Sequence, residues 1–120
     1  MANNAIIFHM KFLLSIHYIF WLVLSAIFFA VGEFFSKKFA LTPKVSLVAW
    51  ILAAYILGTL AWLPAILQKK QLSITGAIWS VMSLLATVLI GILLFNEKLS
   101  GAGIVGIITA FIAIILLSIA

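Results

Sequence analysis

Residues 72 to 95 read LSITGAIWSVMSLLATVLIGILLF, an uncharged run that lies between Lys69-Lys70 on one side and Glu97-Lys98 on the other. A helix needs about 20 apolar residues to cross the hydrocarbon core of a bilayer, and this run exceeds that length. It shows none of the two-residue alternation of a barrel strand. Backbone groups in hydrocarbon must be bonded within their own segment, so the expected state is a transmembrane helix.

Three more apolar runs flank it, and the lysines mark them off. Together the four predict helices over about 12–36, 45–67, 72–95 and 102–120, joined by short connections that make sequential neighbours antiparallel. The fold class expected is an all-helical membrane protein, a single four-helix transmembrane bundle. The first run is too long for a cleaved signal peptide, and no small-x-small cleavage pattern follows it.

Composition agrees. Of 120 residues, 68% are hydrophobic and 8% charged, whereas a soluble domain averages about 25% charged. There is no cysteine, so disulfides, thiolate metal sites and cysteine nucleophiles are excluded. The basic residues are all lysine and give a net charge of +5. Because they cluster between apolar runs, they read as headgroup anchors and not as a nucleic-acid surface.

The lysines also bear on orientation. Lys11, Lys69 and Lys70 fall on one side of a four-span chain, and Lys37, Lys38, Lys44 and Lys98 on the other. So even a distribution gives the positive-inside rule little to act on, and insertion in both orientations is one reading. The other is that Lys37 and Lys38 fix one orientation locally.

Glu33, within Val31-Gly32-Glu33-Phe34-Phe35, is the residue that stands out, since an ionisable group inside a span is costly and by default functional. Desolvation disfavours a charged carboxylate, so a group so placed is suited to exchanging a proton for a cation. The structural alternative is an ion pair with Lys37, four residues on in the favourable helical order. Depth depends on the helix end: interfacial if the helix stops at Ser36, deeper if it runs on to Leu41 with the lysines snorkelling.

Gly76, Ser80, Ser83, Thr87 and Gly91 form one small, weakly polar face of the third helix, suited to close packing or to lining a cavity. Trp79 borders it. Trp21, Trp50 and Trp62 read as anchors or packing residues. The stretch Gly101-Ala102-Gly103-Ile104-Val105-Gly106 matches a dinucleotide fingerprint but lacks its strand and its acid, so no cofactor is expected. Gly106 and Ala110 instead have the small-xxx-small spacing of a helix seam. His9 and His17 have no companions for a metal site. Pro64 is expected to kink the second helix. No serine, histidine and acid constellation or phosphate loop is present, so enzymatic hydrolysis is not expected.

The third and fourth runs resemble a known family. Ala77-Ile78-Trp79-Ser80, Glu97 eighteen positions beyond Trp79, Phe95-Asn96-Glu97-Lys98-Leu99-Ser100, and Gly106 in the last helix are similar to the small multidrug resistance transporters of the drug/metabolite transporter superfamily. The resemblance implies a prokaryotic inner-membrane, proton-coupled antiporter exporting small cationic or amine-bearing compounds. It implies that Glu33 binds protons and substrate alternately, that Trp79 packs over that site with Ser80 and Ser83 nearby, and that Gly106, Ala110 and Ala113 lie at the seam of an antiparallel homodimer. Departures exist: Gly76 replaces a tyrosine, Gln71 a proline, Ala113 a glycine, and Lys37 and Lys38 follow Glu33 sooner than is usual.

Gly32-Glu33-x-x-x-Lys37 also resembles subunits of lipid-linked aminosugar flippases, which implies a lipid-carrier subunit paired with a similar small protein, with Lys37 and Lys38 at a phosphate headgroup. A non-transporting scaffold or half-module is the third reading. The balanced lysines lead us to expect a C-terminal reporter on both sides of the membrane; a reporter found on one side only would leave orientation to Lys37 and Lys38.

Overall fold

The computed structural model describes residues 11–119. Its elements are α1 (Tyr18–Leu41), α2 (Val45–Gln68), α3 (Leu72–Leu89), a π-helical turn (Ile90–Leu94) that prolongs α3, and α4 (Gly101–Ile119). A helical stretch at 11–15 precedes α1, and no strand occurs among the described residues. Tyr18–Leu41, Val45–Gln68 and Leu72–Leu94 are long and apolar enough to cross a membrane, and α4 adds a shorter apolar stretch, Gly101–Leu116. The chain has the make-up of an all-helical integral membrane protein.

The first helix differs from the expected 12–36 at both ends. Its start is set by His17, which lies outside the helix and accepts a hydrogen bond from the Ile19 N–H through Nδ1, capping the first turn. This gives His17 a structural role that the sequence did not suggest, while His9 lies outside the described residues. Carbonyls near the break are met from elsewhere: Trp21 donates to the Leu13 carbonyl at 2.9 Å, and the Gln68 amide reaches the Ile16 carbonyl at 2.5 Å. At its far end α1 runs through Lys37 and Lys38 to Leu41. It stops where Pro43 disfavours helical geometry in the residue before it, and Thr42 is extended.

The third helix was expected to be regular to residue 95, but it becomes π-helical at Ile90. The Ile90 N–H is shared between the carbonyls of Ala86 and Thr87, and the Glu97 N–H closes on the Gly91 carbonyl at 2.9 Å. Asn96 adopts a left-handed conformation, φ 53°, the usual turn-off at a helix end. Closure spans one residue more than in the common left-handed ending, and the π turn supplies that residue. Pro64 is buried within α2, which continues through it.

Packing centres on α1 against α2. Most of the buried positions there are small or hydroxylic: Ser25, Ala26 and Gly32 in α1, Ala54, Gly58, Ala61 and Ala65 in α2, with Leu22 and Pro64 the larger exceptions. Lipid is as apolar as leucine, so helices in it are joined by close fit and hydrogen bonds, and small residues allow that approach. Here aromatic rings fill the glycine notches from both sides. The Tyr55 ring covers Gly32, where an added Cβ would overlap it, and the Phe29 ring covers Gly58, 2.5 Å from where a Cβ would be. The two rings stack at 5.1 Å, and the Ser25 hydroxyl donates to the Gly58 carbonyl at 2.7 Å.

α3 lies along α1, whereas α4 leans on α3 alone among its closer neighbours, which leaves a slab of 56 × 41 × 16 Å. The turn from α2 to α3 is fixed by Thr75, fully buried, whose hydroxyl donates to the Lys69 carbonyl at 2.9 Å.

Gly58→Ala would place its methyl group against Phe29 on one side and the Ser25 carbonyl, 3.3 Å away, on the other. We expect it to destabilise the protein by about 1–3 kcal/mol, the usual range for overpacking. Gly101→Ala, with open space around it, should change stability by less than about 0.5 kcal/mol. Denaturation in mixed micelles followed by helix content compares the two.

Candidate functional site

α1 and α3 run parallel in a fixed register. Ser25 meets Trp79 and Glu33 meets Thr87, both pairs 54 positions apart. These contacts bind the two helices at two levels, eight residues or about 12 Å apart along the axis.

At the first level the Trp79 indole N–H donates to the Ser25 hydroxyl at 3.2 Å, and that hydroxyl in turn donates to Gly58. One serine therefore ties three helices together. Trp79 also meets Phe29 edge-on at 5.2 Å and Trp62 at 6.2 Å. Ser25, Phe29, Thr59, Trp62 and Trp79 line a cavity of about 230 Å³. Trp79 and Glu33 are thus not brought together within one chain: two helical turns separate them.

At the second level the Thr87 hydroxyl lies within hydrogen-bond reach of the Glu33 carboxyl Oε2 and of the Ser83 carbonyl, the latter at 2.8 Å. A hydroxyl carries one proton and cannot donate fully to two acceptors. If Glu33 carries a proton, the conflict disappears: its O–H donates to Thr87, and Thr87 donates to Ser83. If Glu33 is ionised, Thr87 must choose, and the carboxylate has room for another donor.

The Glu33–Lys37 ion pair, the structural alternative for this carboxylate, is not formed. Lys37 instead binds Glu97 at 2.9 Å, and its ammonium lies 5.9 Å from the centre of the Phe95 ring. The reason is geometric. The π turn and the left-handed Asn96 bring Glu97 back over Gly91, whose missing Cβ leaves space for the carboxylate, 2.7 Å from where that atom would be. Lys38 lies 4.9 Å from the centre of the Phe34 ring, which is itself 5.5 Å from that of Phe95. Because α1 runs to Leu41, Glu33 lies two turns inside the helix end and not at its margin.

The remaining candidates divide. Ser80 donates to the Gly76 carbonyl of its own helix at 2.8 Å, and Gly76 meets no neighbouring helix closely. Ser83 acts through its carbonyl. Between α1 and α3 an apolar groove of about 570 Å³, bordered by Ala30, Phe34, Ala86 and Leu94 among others, opens sideways. In α4, Gly106 has nothing within 4 Å of an added Cβ, and Ala113 is exposed, so this face is uncovered in the single chain. Trp50 stacks on Phe35 at 6.2 Å and is 60% exposed, as an anchor would be. No cluster of histidine, cysteine and acid residues suited to a metal occurs among the described residues.

The Lys37–Glu97 pair is about half exposed, so its net effect is small. A double-mutant cycle of Lys37→Gln and Glu97→Gln should give a coupling of about 0.2–1 kcal/mol in mixed-micelle unfolding. Gly91→Ala should reduce that coupling by displacing the carboxylate. Compared with protein-family models, curated proteins and solved structures, the chain matches none of them.

Proposed function

We propose that this protein is a proton-coupled membrane transporter that exchanges protons for a small cationic or amine-bearing compound. One observation carries the reading: Glu33 lies within a membrane-length helix beside a single hydroxyl that both it and the Ser83 carbonyl engage. In the protonated state the Glu33, Thr87 and Ser83 chain is complete. Loss of the proton leaves a carboxylate with spare acceptor capacity in a low-dielectric setting, where a cation restores the balance. The closest lysine in sequence does not compete for it, because Glu97 holds Lys37.

The exchange then runs as two mutually exclusive occupancies of one carboxyl group, proton or cation, with helix rocking moving access between the two sides. The functional unit of this proposal is a homodimer. Its support is the α4 face on which Gly106 meets no neighbour and Ala113 is exposed, with Ala110 partly covered between them, and the two-turn separation of Trp79 from Glu33, which a second copy could bridge. The resemblance to small multidrug resistance transporters points the same way.

The test uses the purified full chain in liposomes under an imposed proton gradient, with guanidinium compounds and quaternary amines screened for coupled currents. We expect currents that Glu33→Gln reduces to the level of protein-free liposomes. Folded protein giving no current with any cation would overturn the exchange and favour lipid-carrier movement. Unchanged behaviour of Glu33→Gln in every assay would favour a scaffold.

A further inference from the structure

The lysines pose a problem of charge that the carboxylates of the chain do not solve. Only two acids are present, and both are engaged: Glu33 with Thr87, and Glu97 with Lys37. Lys38 and Lys44 therefore have no carboxylate partner among the described residues. The fold nevertheless brings both to the rim of one cavity of about 540 Å³, at the turn between α1 and α2.

The lining of that cavity has two characters. Thr42 and Ser46 add hydroxyls to the same lining, Lys44 caps α2 without any side-chain hydrogen bond to its first turn, and the Lys38 ammonium lies 4.9 Å from the centre of the Phe34 ring, which is outside that lining. Phe35, Trp50, Leu41, Leu47 and Phe95 make the rest of the wall apolar, with Phe35 and Trp50 stacked. Concentrated positive charge and donors thus adjoin an aromatic and aliphatic surface, next to the end of a membrane-length helix. A ligand complementary to this cavity is anionic at one end and apolar at the other.

We propose that this cavity binds one anionic phospholipid. The Lys38 side chain turns from Phe34 to meet the phosphate opposite Lys44, the hydroxyls of Thr42 and Ser46 donate to its oxygens, and an acyl chain runs over Phe35 and Trp50. The site is separate from Glu33 and does not depend on the transport reading. Its effect is to hold the α1–α2 end of the molecule at an anionic leaflet, through a specific contact and not through the overall charge of +5.

Native mass spectrometry of the full chain from micelles tests this, with matched short-chain phosphatidylglycerol and phosphatidylcholine as probes. We expect one phosphatidylglycerol to be retained in preference to phosphatidylcholine. Lys38→Gln with Lys44→Gln should lose that preference by roughly 30-fold, from about fivefold per lysine. Lys69→Gln with Lys70→Gln, which removes the same charge at the other end, should keep it. Equal retention of the two lipids, or equal loss in both double variants, would overturn the site. Displacement of the lipid by millimolar inorganic phosphate would replace it with a soluble phosphate ligand.

Discussion

The interlock of α1 and α2 underlies everything else in this structure. Each helix offers a glycine to a ring of the other, Gly32 to Tyr55 and Gly58 to Phe29, and the two rings stack where they meet. In lipid there is no water to expel, so the fit itself and the buried Ser25 to Gly58 hydrogen bond must hold the pair. Two rings in two notches also fix the relative rotation and height of the helices, since sliding by one residue would drive each ring into a side chain.

That fixed pair positions α3. Ser25 faces Gly58 because of the interlock, and it is the same hydroxyl that receives Trp79. Once Trp79 is seated, the parallel register places Thr87 opposite Glu33 two turns later. The carboxyl group is therefore set by contacts about 12 Å away as well as by its own neighbours. The further end of α3 is free of this control, and there the backbone changes to a π turn and brings Glu97 to Lys37.

Much of the architecture could be read from the sequence. The run from Leu72 to Phe95 between charged flanks fixed a helix of membrane length, and Glu33 stood out because an acid inside an apolar run has a high cost. Other features could not be read so directly. Glu33 to Lys37 is a favourable helical spacing, but a partner from a distant loop won, and its position rests on a π turn that leaves no compositional signature. Small residues in α3 and α4 attracted attention by their spacing, whereas the working notches are Gly32 and Gly58, single glycines whose partners are rings on another helix. Trp79 followed the same rule: its N–H goes to a serine 54 positions away, which no local pattern indicates.

The π turn at Ile90–Leu94 gives the chain a tolerance of length that substitution does not reveal. An α-helix advances about 100° per residue, and a π turn takes up roughly one residue more in the same sweep. Removing one residue from this turn and restoring regular α geometry would therefore leave Phe95 and Glu97 facing much as they do now. Removing one residue from the regular part of α3 would instead swing both around the axis by roughly 100°. Phe95 would then leave Phe34, its present neighbour at 5.5 Å, and the carboxylate would leave Lys37. The π turn thus acts as a slack link ahead of the last helix, one that leaves the glycine-notched pair of α1 and α2 untouched.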